Sequence, residues 1–452
     1  MKHILVWLRN DLRLHDNELI YRASKKAEKV YVAYCLDIRS WQKTFLDFPK
    51  TDSFRTRFLI ETLANLRASL RKIGGDLIVR CGKPEEEICK IAEKLNVQAV
   101  FASKESTFEE LAVEKSLEQN LKSKKIEIQY FWTYTLYHLE DLPFPVAKVP
   151  DIFTDFRKAV EKNSEIRATY PTITQTNPLP NDFFAGEIPT LKELGLEVHK
   201  TNFKTSMQWK GGETAALERL NHYFWQSNNL RNYKETRNGL LGAEYSSKFS
   251  AWLALGAISP RYIYEEVQKY EKKVIKNQST YWLIFELIWR DYFRFIAKKY
   301  GNLIFKEEGI KKEGLGLKNN RKIFEKWATG ETGVPFIDAN MRELNETGFM
   351  SNRGRQNVAS FLVKDLKINW IWGAMYFESK LIDYDVCSNW GNWLYVAGVG
   401  NDPRENRYFN IVSQAKQYDP NADFVKFWLP KFRDLPSTQI YKDFSIADLI
   451  FS

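Results

Sequence analysis

The feature that most constrains this chain is a change of grammar along its length. From residue 3 to about 132, short β-rich runs at 3–8, 29–37, 76–82, 98–103 and 126–132 alternate with amphipathic stretches. Strands alternating with helices predict a parallel sheet covered on both faces. The clearest helix runs over 52–73, where Asp52 or Ser53 caps and Phe54, Phe58, Leu59, Leu63, Leu66 and Leu70 form one apolar stripe. Another opens at Pro84, with Glu85, Glu86 and Glu87 favourably placed for the helix dipole. From about residue 206 the period is helical almost throughout, at 212–225, 247–255, 260–270, 280–300, 319–329, 334–346 and 357–366. Residues 133–205 are rich in Pro, Thr, Asn and Lys. The expected architecture is an α/β domain over 1–132 with a five-stranded, Rossmann-like parallel sheet, an interdomain linker over 133–205, and an all-α domain over 206–452.

Composition narrows the chemistry. With 44% apolar residues the 452-residue chain buries a large core, and no stretch approaches the ~20 apolar residues of a membrane span. The apolar run at 4–8 is cut by Arg9 and Asp11, so a soluble, cytoplasmic protein is expected, a monomer by default. Four cysteines without Cys-x-x-Cys spacing and five scattered histidines argue against a disulfide framework and against a metal site. The loop after the first strand, Arg9 to Asn17, lacks Gly-x-Gly-x-x-Gly, so a nicotinamide dehydrogenase is not expected. A net charge of +10 favours a polyanionic partner.

Three segments carry chemistry. Tyr245 to Gly256 places hydroxyls and Lys248 where a helix begins, which suits either a diphosphate or an ordinary serine cap. Glu286, Arg290 and Arg294 recur at i, i+4 and i+8 with Trp289 on the adjoining edge, which suits a salt-bridged solvent face or a polar cavity lining. The third segment is Ser351-Asn352-Arg353-Gly354-Arg355-Gln356, followed downstream by Asp383-Tyr384-Asp385 and Cys387-Ser388-Asn389.

Together with Trp7-Leu8-Arg9-Asn10-Asp11-Leu12-Arg13 and Gly398-Val399-Gly400-Asn401-Asp402-Pro403-Arg404, these motifs make the chain resemble the photolyase/cryptochrome flavoproteins, most closely the DASH cryptochromes. The resemblance implies FAD inside the helical domain. Tyr233, Ser246, Ser247, Lys248, Phe249 and Ser250 are then expected at its phosphates and ribose, and Arg290, Asn352, Asp383, Asp385 and Asn389 around the flavin. Two carboxylates in one buried loop are costly unless paired, so Arg355 is expected to hold Asp383 while Asp385 accepts from the flavin ring or ribose.

The resemblance further implies electron transfer through Trp393 and Trp370. The third, surface position of that chain carries Leu317, ten residues before Trp327, where the family has tryptophan. Trp372, Tyr376 and Trp327 are the candidate replacements. For the substrate it implies a cyclobutane pyrimidine dimer, with Glu286 hydrogen-bonding the lesion, Trp289 stacking and Asn352 nearby. Gln356 and Tyr395 replace a more apolar residue and a tryptophan of the double-strand photolyases, which favours single-stranded or looped DNA. Arg353, Arg404 and Arg407, with Lys318, Arg321 and Lys322, are the candidate phosphate contacts. The implied antenna is 5,10-methenyltetrahydrofolate, with Glu109 as its carboxylate contact.

The leading expectation is a light-driven DNA lyase, and the alternative a blue-light photoreceptor. The chain ends about twenty residues past Trp428, which favours repair, and no histidine falls in the pocket motifs to suit a (6-4) lesion.

Overall fold

The computed structural model describes residues 1–198, 204–404, 407–442 and 444. Strands β1 (His3–Leu8), β2 (Lys29–Asp37), β3 (Leu77–Gly82), β4 (Ala99–Ser103) and β5 (Glu127–Phe131) form one all-parallel sheet in the order β3-β2-β1-β4-β5. Helices α1 (Glu18–Lys26), α2 (Ser53–Lys72), α3 (Pro84–Lys94) and α4 (Phe108–Ser123) alternate with the strands. Asp52 caps α2 by accepting from the Ser53 N–H at 2.6 Å, and α3 opens with Pro84 and its three glutamates. In β1, Ile4, Val6 and Leu8 face the core shared with the helical half, while Leu5 and Trp7 pack with Ile88, Ile91, Leu117 and Leu121 of α3 and α4. Burial on both faces is why this strand reads as an unbroken apolar run.

The strand order reverses at β1, so a crevice opens between the loops that follow β1 and β4. The β1 loop has no phosphate-binding turn because it fastens the two halves together. The Leu12 N–H donates to the Leu255 carbonyl at 3.1 Å, Arg13 Nη1 donates to the Gly256 carbonyl at 2.8 Å, and buried Asp16 pairs with Arg261 at 2.6 Å. Gly256 has φ +63°, and a Cβ there would lie 1.8 Å from the Asn10 carbonyl oxygen, so glycine is what allows this approach.

The connecting segment is a built part of the molecule. Its helix α5 (Phe153–Asn163) buries Phe153, Phe156 and Val160 on one side. The segment's start is pinned by Asp291, which accepts from the N–H groups of Leu136 at 2.9 Å and Tyr137 at 2.8 Å. Three apolar residues at helical spacing are too few to stand out in a Pro-rich stretch, which is why the composition reads there as plain linker.

The helical half contains α6 (Glu213–Asn221), α7 (Tyr233–Thr236), α8 (Ser250–Ala254), α9 (Pro260–Lys273), α10 (Gln278–Tyr300), α11 (Arg321–Thr329), α12 (Pro335–Thr347), α13 (Asn352–Ser360), α14 (Trp370–Lys380) and α15 (Val386–Ala397). Two departures from the periodicity matter for the site. α8 is only five residues long, not 247–255, so most of the serine-rich stretch is loop. α13 begins at Asn352, not at 357, because the Ser351 hydroxyl accepts from the Gly354 N–H at 3.0 Å and caps it. α10 starts with a capping box between Asn277 and Thr280. Among the described residues no helix is long and apolar enough to cross a membrane.

Candidate functional site

Arg219 shapes the serine loop by donating to the carbonyls of Ala243, Ser246 and Ser247 at 3.0 to 3.1 Å. Lys248 takes φ +62°, a left-handed conformation costing a lysine roughly 1–2 kcal/mol. That conformation turns its side chain inward, with Nζ 3.4 Å from the Tyr245 ring centroid and 4.4 Å from that of Phe349. Burial pushes the ammonium well below the usual lysine range, against the opposing pull of Glu343. The sequence counts Lys248 among the groups where a helix begins that could hold a diphosphate; in the fold it is 3% exposed.

Beside it, one Asp383 oxygen accepts from Arg355 at 2.8 Å, as the buried carboxylates required. Four buried polar atoms here, Tyr245 Oη, Lys248 Nζ, Glu343 Oε2 and Asp383 Oδ1, have no hydrogen-bond partner among the described residues. Burial raises the Glu343 carboxyl to about 8, with Lys248 and Arg355 pulling the other way. Neither Arg219 nor Glu343 is marked by any local pattern, since each matters only through what the fold brings to it.

Asp385 caps α15, one oxygen accepting from the Ser388 N–H at 2.8 Å and the other from Arg294 at 2.5 Å. Arg294 also faces Glu105, in the loop after β4, at 3.4 Å. Arg290 donates to the carbonyls of Leu253 and Tyr134. Of the i, i+4, i+8 row on α10, Arg294 is 2% exposed, too buried for a solvated face, and lines the cavity between the halves, whereas Glu286 makes a salt bridge. Burial alone would raise the Asp385 pKa, but Arg294, Arg290 and the Ser388 N–H hold it down at about 2. A folded value below the ordinary value of about 4 means that its stabilisation is full above that pH and is lost as pH falls through 2. Asp385→Asn should cost about 3–5 kcal/mol at neutral pH, by leaving Arg294 without its nearest carboxylate. Denaturant titration at pH 7 measures this, and a midpoint equal to wild type would refute the assignment. Asn389 lies on the next turn of α15, its amide donating to the Ala374 carbonyl at 3.0 Å.

Toward the surface, Glu286 pairs with Arg237 at 2.6 Å, and burial raises its carboxyl against that pairing. Buried Tyr233 lies close enough to Glu286 to feel its charge. Phe153 of α5 stacks on Trp289 with centroids 3.6 Å apart and planes 10° from parallel, while Tyr395 meets Trp289 edge-on at 5.8 Å. Arg407 donates to Tyr395 Oη at 3.2 Å and is held by Asp402. Arg353 donates to Gln356 at 2.9 Å and to Asn238 at 3.0 Å, over the Tyr418 ring. Asn352 is exposed at the start of α13. Arg404 is exposed too, and its backbone N–H donates to Asp402. Arg321 is paired with Asp47 and Glu325 instead. Arg237 and Phe153 are members of this rim that the sequence reading missed.

Trp393 packs against Gly373, where an added Cβ would lie 2.2 Å from the indole. Its described ring contacts are Trp327 at 6.2 Å and Phe377 at 5.1 Å, whereas Trp370 touches Trp390 at 5.8 Å. Between the halves lies a cavity of about 1030 Å³. Arg9 and Asn10 after β1, Glu105 and Glu109 after β4, and Arg294, Asp385 and Trp390 of the helical half line it. Glu109 is paired there with Lys50.

Two family models match the chain, one described as DNA photolyase over residues 4–178 and one described as the FAD binding domain of DNA photolyase over 282–449. A cryptochrome DASH of Gloeobacter violaceus is 53% identical over 445 residues, covering 98% of this chain and 89% of the relative. The chain belongs to the cryptochrome DASH family. The fold agrees: the crystal structure of a Synechocystis sp. PCC6803 cryptochrome superposes with a TM-score of 0.95 at 49% identity, covering 98% of this chain and 91% of that one. An archaeal photolyase from Sulfolobus tokodaii, solved with two FAD molecules, gives 0.79 at 27% identity over 97% of this chain and 92% of its own. FAD is thus the cofactor of the helical half, and the residues present fit it. The unpartnered acceptor on Asp383 and the unpartnered donors on Lys248 and Tyr245 are what a ligand with ring, hydroxyl and phosphate groups satisfies.

Proposed function

We propose that this DASH family member is a light-driven carbon–carbon lyase that splits cyclobutane pyrimidine dimers, preferentially in single-stranded or looped DNA. The observation that supports the reading is the rim: one face of Trp289 is backed by Phe153, leaving the indole held flat beside Glu286 and Tyr395. FAD, when bound, supplies the light-absorbing centre and the electron that opens the cyclobutane ring. Tyr233, Ser246, Ser247, Lys248, Phe249 and Ser250 hold its phosphates and ribose. Lys248, buried without an ion-pair partner, meets negative charge without first breaking a salt bridge. Arg290, Asn352, Arg355, Asp383, Asp385 and Asn389 surround the ring. The bond from Asn389 to Ala374 fixes the amide, and an uncharged group there suits a reduced, protonated flavin.

At the lesion, Glu286 hydrogen-bonds the bases, its carboxyl held in place by Arg237. Trp289 stacks on the dimer. Arg237, Arg353, Arg404 and Arg407 track the phosphates. Gln356 and Tyr395 give less apolar stacking surface than their double-strand counterparts. That surface has to offset the few kcal/mol of extruding a base from duplex, a cost that single strands avoid. The interdomain cavity takes a second chromophore, 5,10-methenyltetrahydrofolate, along the wall that carries Glu109.

The test is light-dependent repair by chemically reduced protein, comparing one thymine dimer in single-stranded DNA with the same dimer in duplex. Repair confined to the single strand supports the reading. Equal repair of both makes the protein a general photolyase. Repair of neither, with FAD bound and photoreducible, moves the function to blue-light sensing.

A further inference from the structure

Trp289 is the indole that the repair reading sets against the dimer, and the side chain lying flat on it comes from outside the helical half. Phe153 of α5 stacks there with centroids 3.6 Å apart and planes 10° from parallel. The other rings around Trp289 meet it at an angle, Tyr292 at 84°, Tyr395 at 88° and Phe293 at 33°. Phe153 is 6% exposed, whereas Trp289 is only half-buried, so one face of the indole is dry and fixed while part of its surface stays open. Phe153 is in turn pinned to α10. Its edges meet Phe285 at 5.2 Å and Tyr292 at 5.5 Å. Two residues before it, Asp151 is held by three side chains of that helix. Lys299 Nζ and Tyr300 Oη donate to its carboxylate at 2.7 and 2.6 Å, and Tyr292 Oη donates to its carbonyl at 2.5 Å. On the next turns of α5, Phe156 and Val160 are fully buried.

We propose, resting on the repair reading, that Phe153 is a positioning residue for lesion recognition: by holding Trp289 flat, it sets how strongly this protein prefers a dimer-bearing strand to an undamaged one. The connecting segment thereby takes part in substrate choice. A large side chain that must be immobilised on binding costs roughly two- to tenfold in affinity, and Phe153 meets that cost before any DNA arrives. It also keeps water off the face that the dimer does not touch. The effect is selective because the two strands use different contacts. Undamaged DNA is held chiefly through its phosphates, on the arginines of the rim, whereas a dimer turned out of the stack reaches the indole. Among the described residues the ring contacts of Phe153 are Phe285, Trp289 and Tyr292, none of them assigned to FAD. Its removal therefore falls on dimer binding and leaves the turnover of bound dimer in place.

The experiment compares wild type, Phe153→Leu and Phe153→Met, all loaded with FAD. Dissociation constants are measured under red light for a single strand carrying one thymine dimer and for the same strand undamaged. Repair by chemically reduced protein is then measured at saturating dimer. Phe153→Leu should weaken dimer binding by about three- to tenfold, the worth of one aromatic stack. Affinity for the undamaged strand and repair at saturation should stay within about twofold of wild type. Phe153→Met fills nearly the same volume with a flexible chain, so it carries the test even if Phe153→Leu folds poorly. Dimer affinity equal to wild type in both variants overturns the role. So does a matching loss for the undamaged strand, which marks a purely structural residue, or a loss confined to repair at saturation. A wild type that binds the two strands alike refutes the repair reading itself, and this role with it.

Discussion

Asp383→Ala is expected to leave purification largely free of FAD. The carboxylate removed is 7% exposed, holds Arg355 at 2.8 Å with one oxygen, and keeps the other oxygen without a described partner. Its loss strands Arg355 on the Met350 carbonyl alone. Breaking a buried pair costs about 3–5 kcal/mol, and because the Arg355 side chain is 25% exposed the lower end applies. About 3 kcal/mol is roughly a hundredfold in affinity if it falls on the cofactor complex. The missing hydrogen bond to the cofactor adds to that. The flavin-to-protein absorbance ratio of the purified variant measures the effect. Full occupancy would remove Asp383 from the binding set.

Trp393→Phe is expected to abolish nearly all light-driven reduction of the bound flavin. The indole is 2% exposed and wedged between Gly373, Phe377 and Trp327, so phenylalanine keeps most of the packing while removing the oxidisable ring. The check is flavin bleaching under blue light with excess thiol, alongside FAD content and melting temperature to verify that the site is intact. Bleaching at the wild-type rate would mean that electrons reach the flavin by a path that avoids α15.

Both residues can be proposed from the sequence because each sits in a short, contiguous motif whose wording is specific to the family. The same holds for Glu286, Asn352, Asp385 and Asn389. The parallel sheet was legible for a different reason: period and turn residues are local properties, and burial on both faces leaves its mark on every strand. The boundaries of α8 and α13 were not, because a cap or a left-handed residue such as Lys248 overrides a weak helical period.

What the sequence by itself determined is the α/β half followed by a helical half, the family and the cofactor, together with the motif carboxylates and tryptophans proposed for its site. What only the tertiary structure decided is which groups those residues meet. Phe153 reaches Trp289 from a segment that reads as linker, Arg219 and Glu343 come to the serine loop, and Arg294 bridges Asp385 to Glu105 of the other half. The contact of Trp327 with Trp393 belongs to the same class, since the two are 66 residues apart in the chain and meet only because α11 packs behind α14 and α15. Motif spacing records neighbours along the chain, whereas pairing of buried charges and contact between rings depend on how helices distant in sequence pack, and no local pattern encodes that.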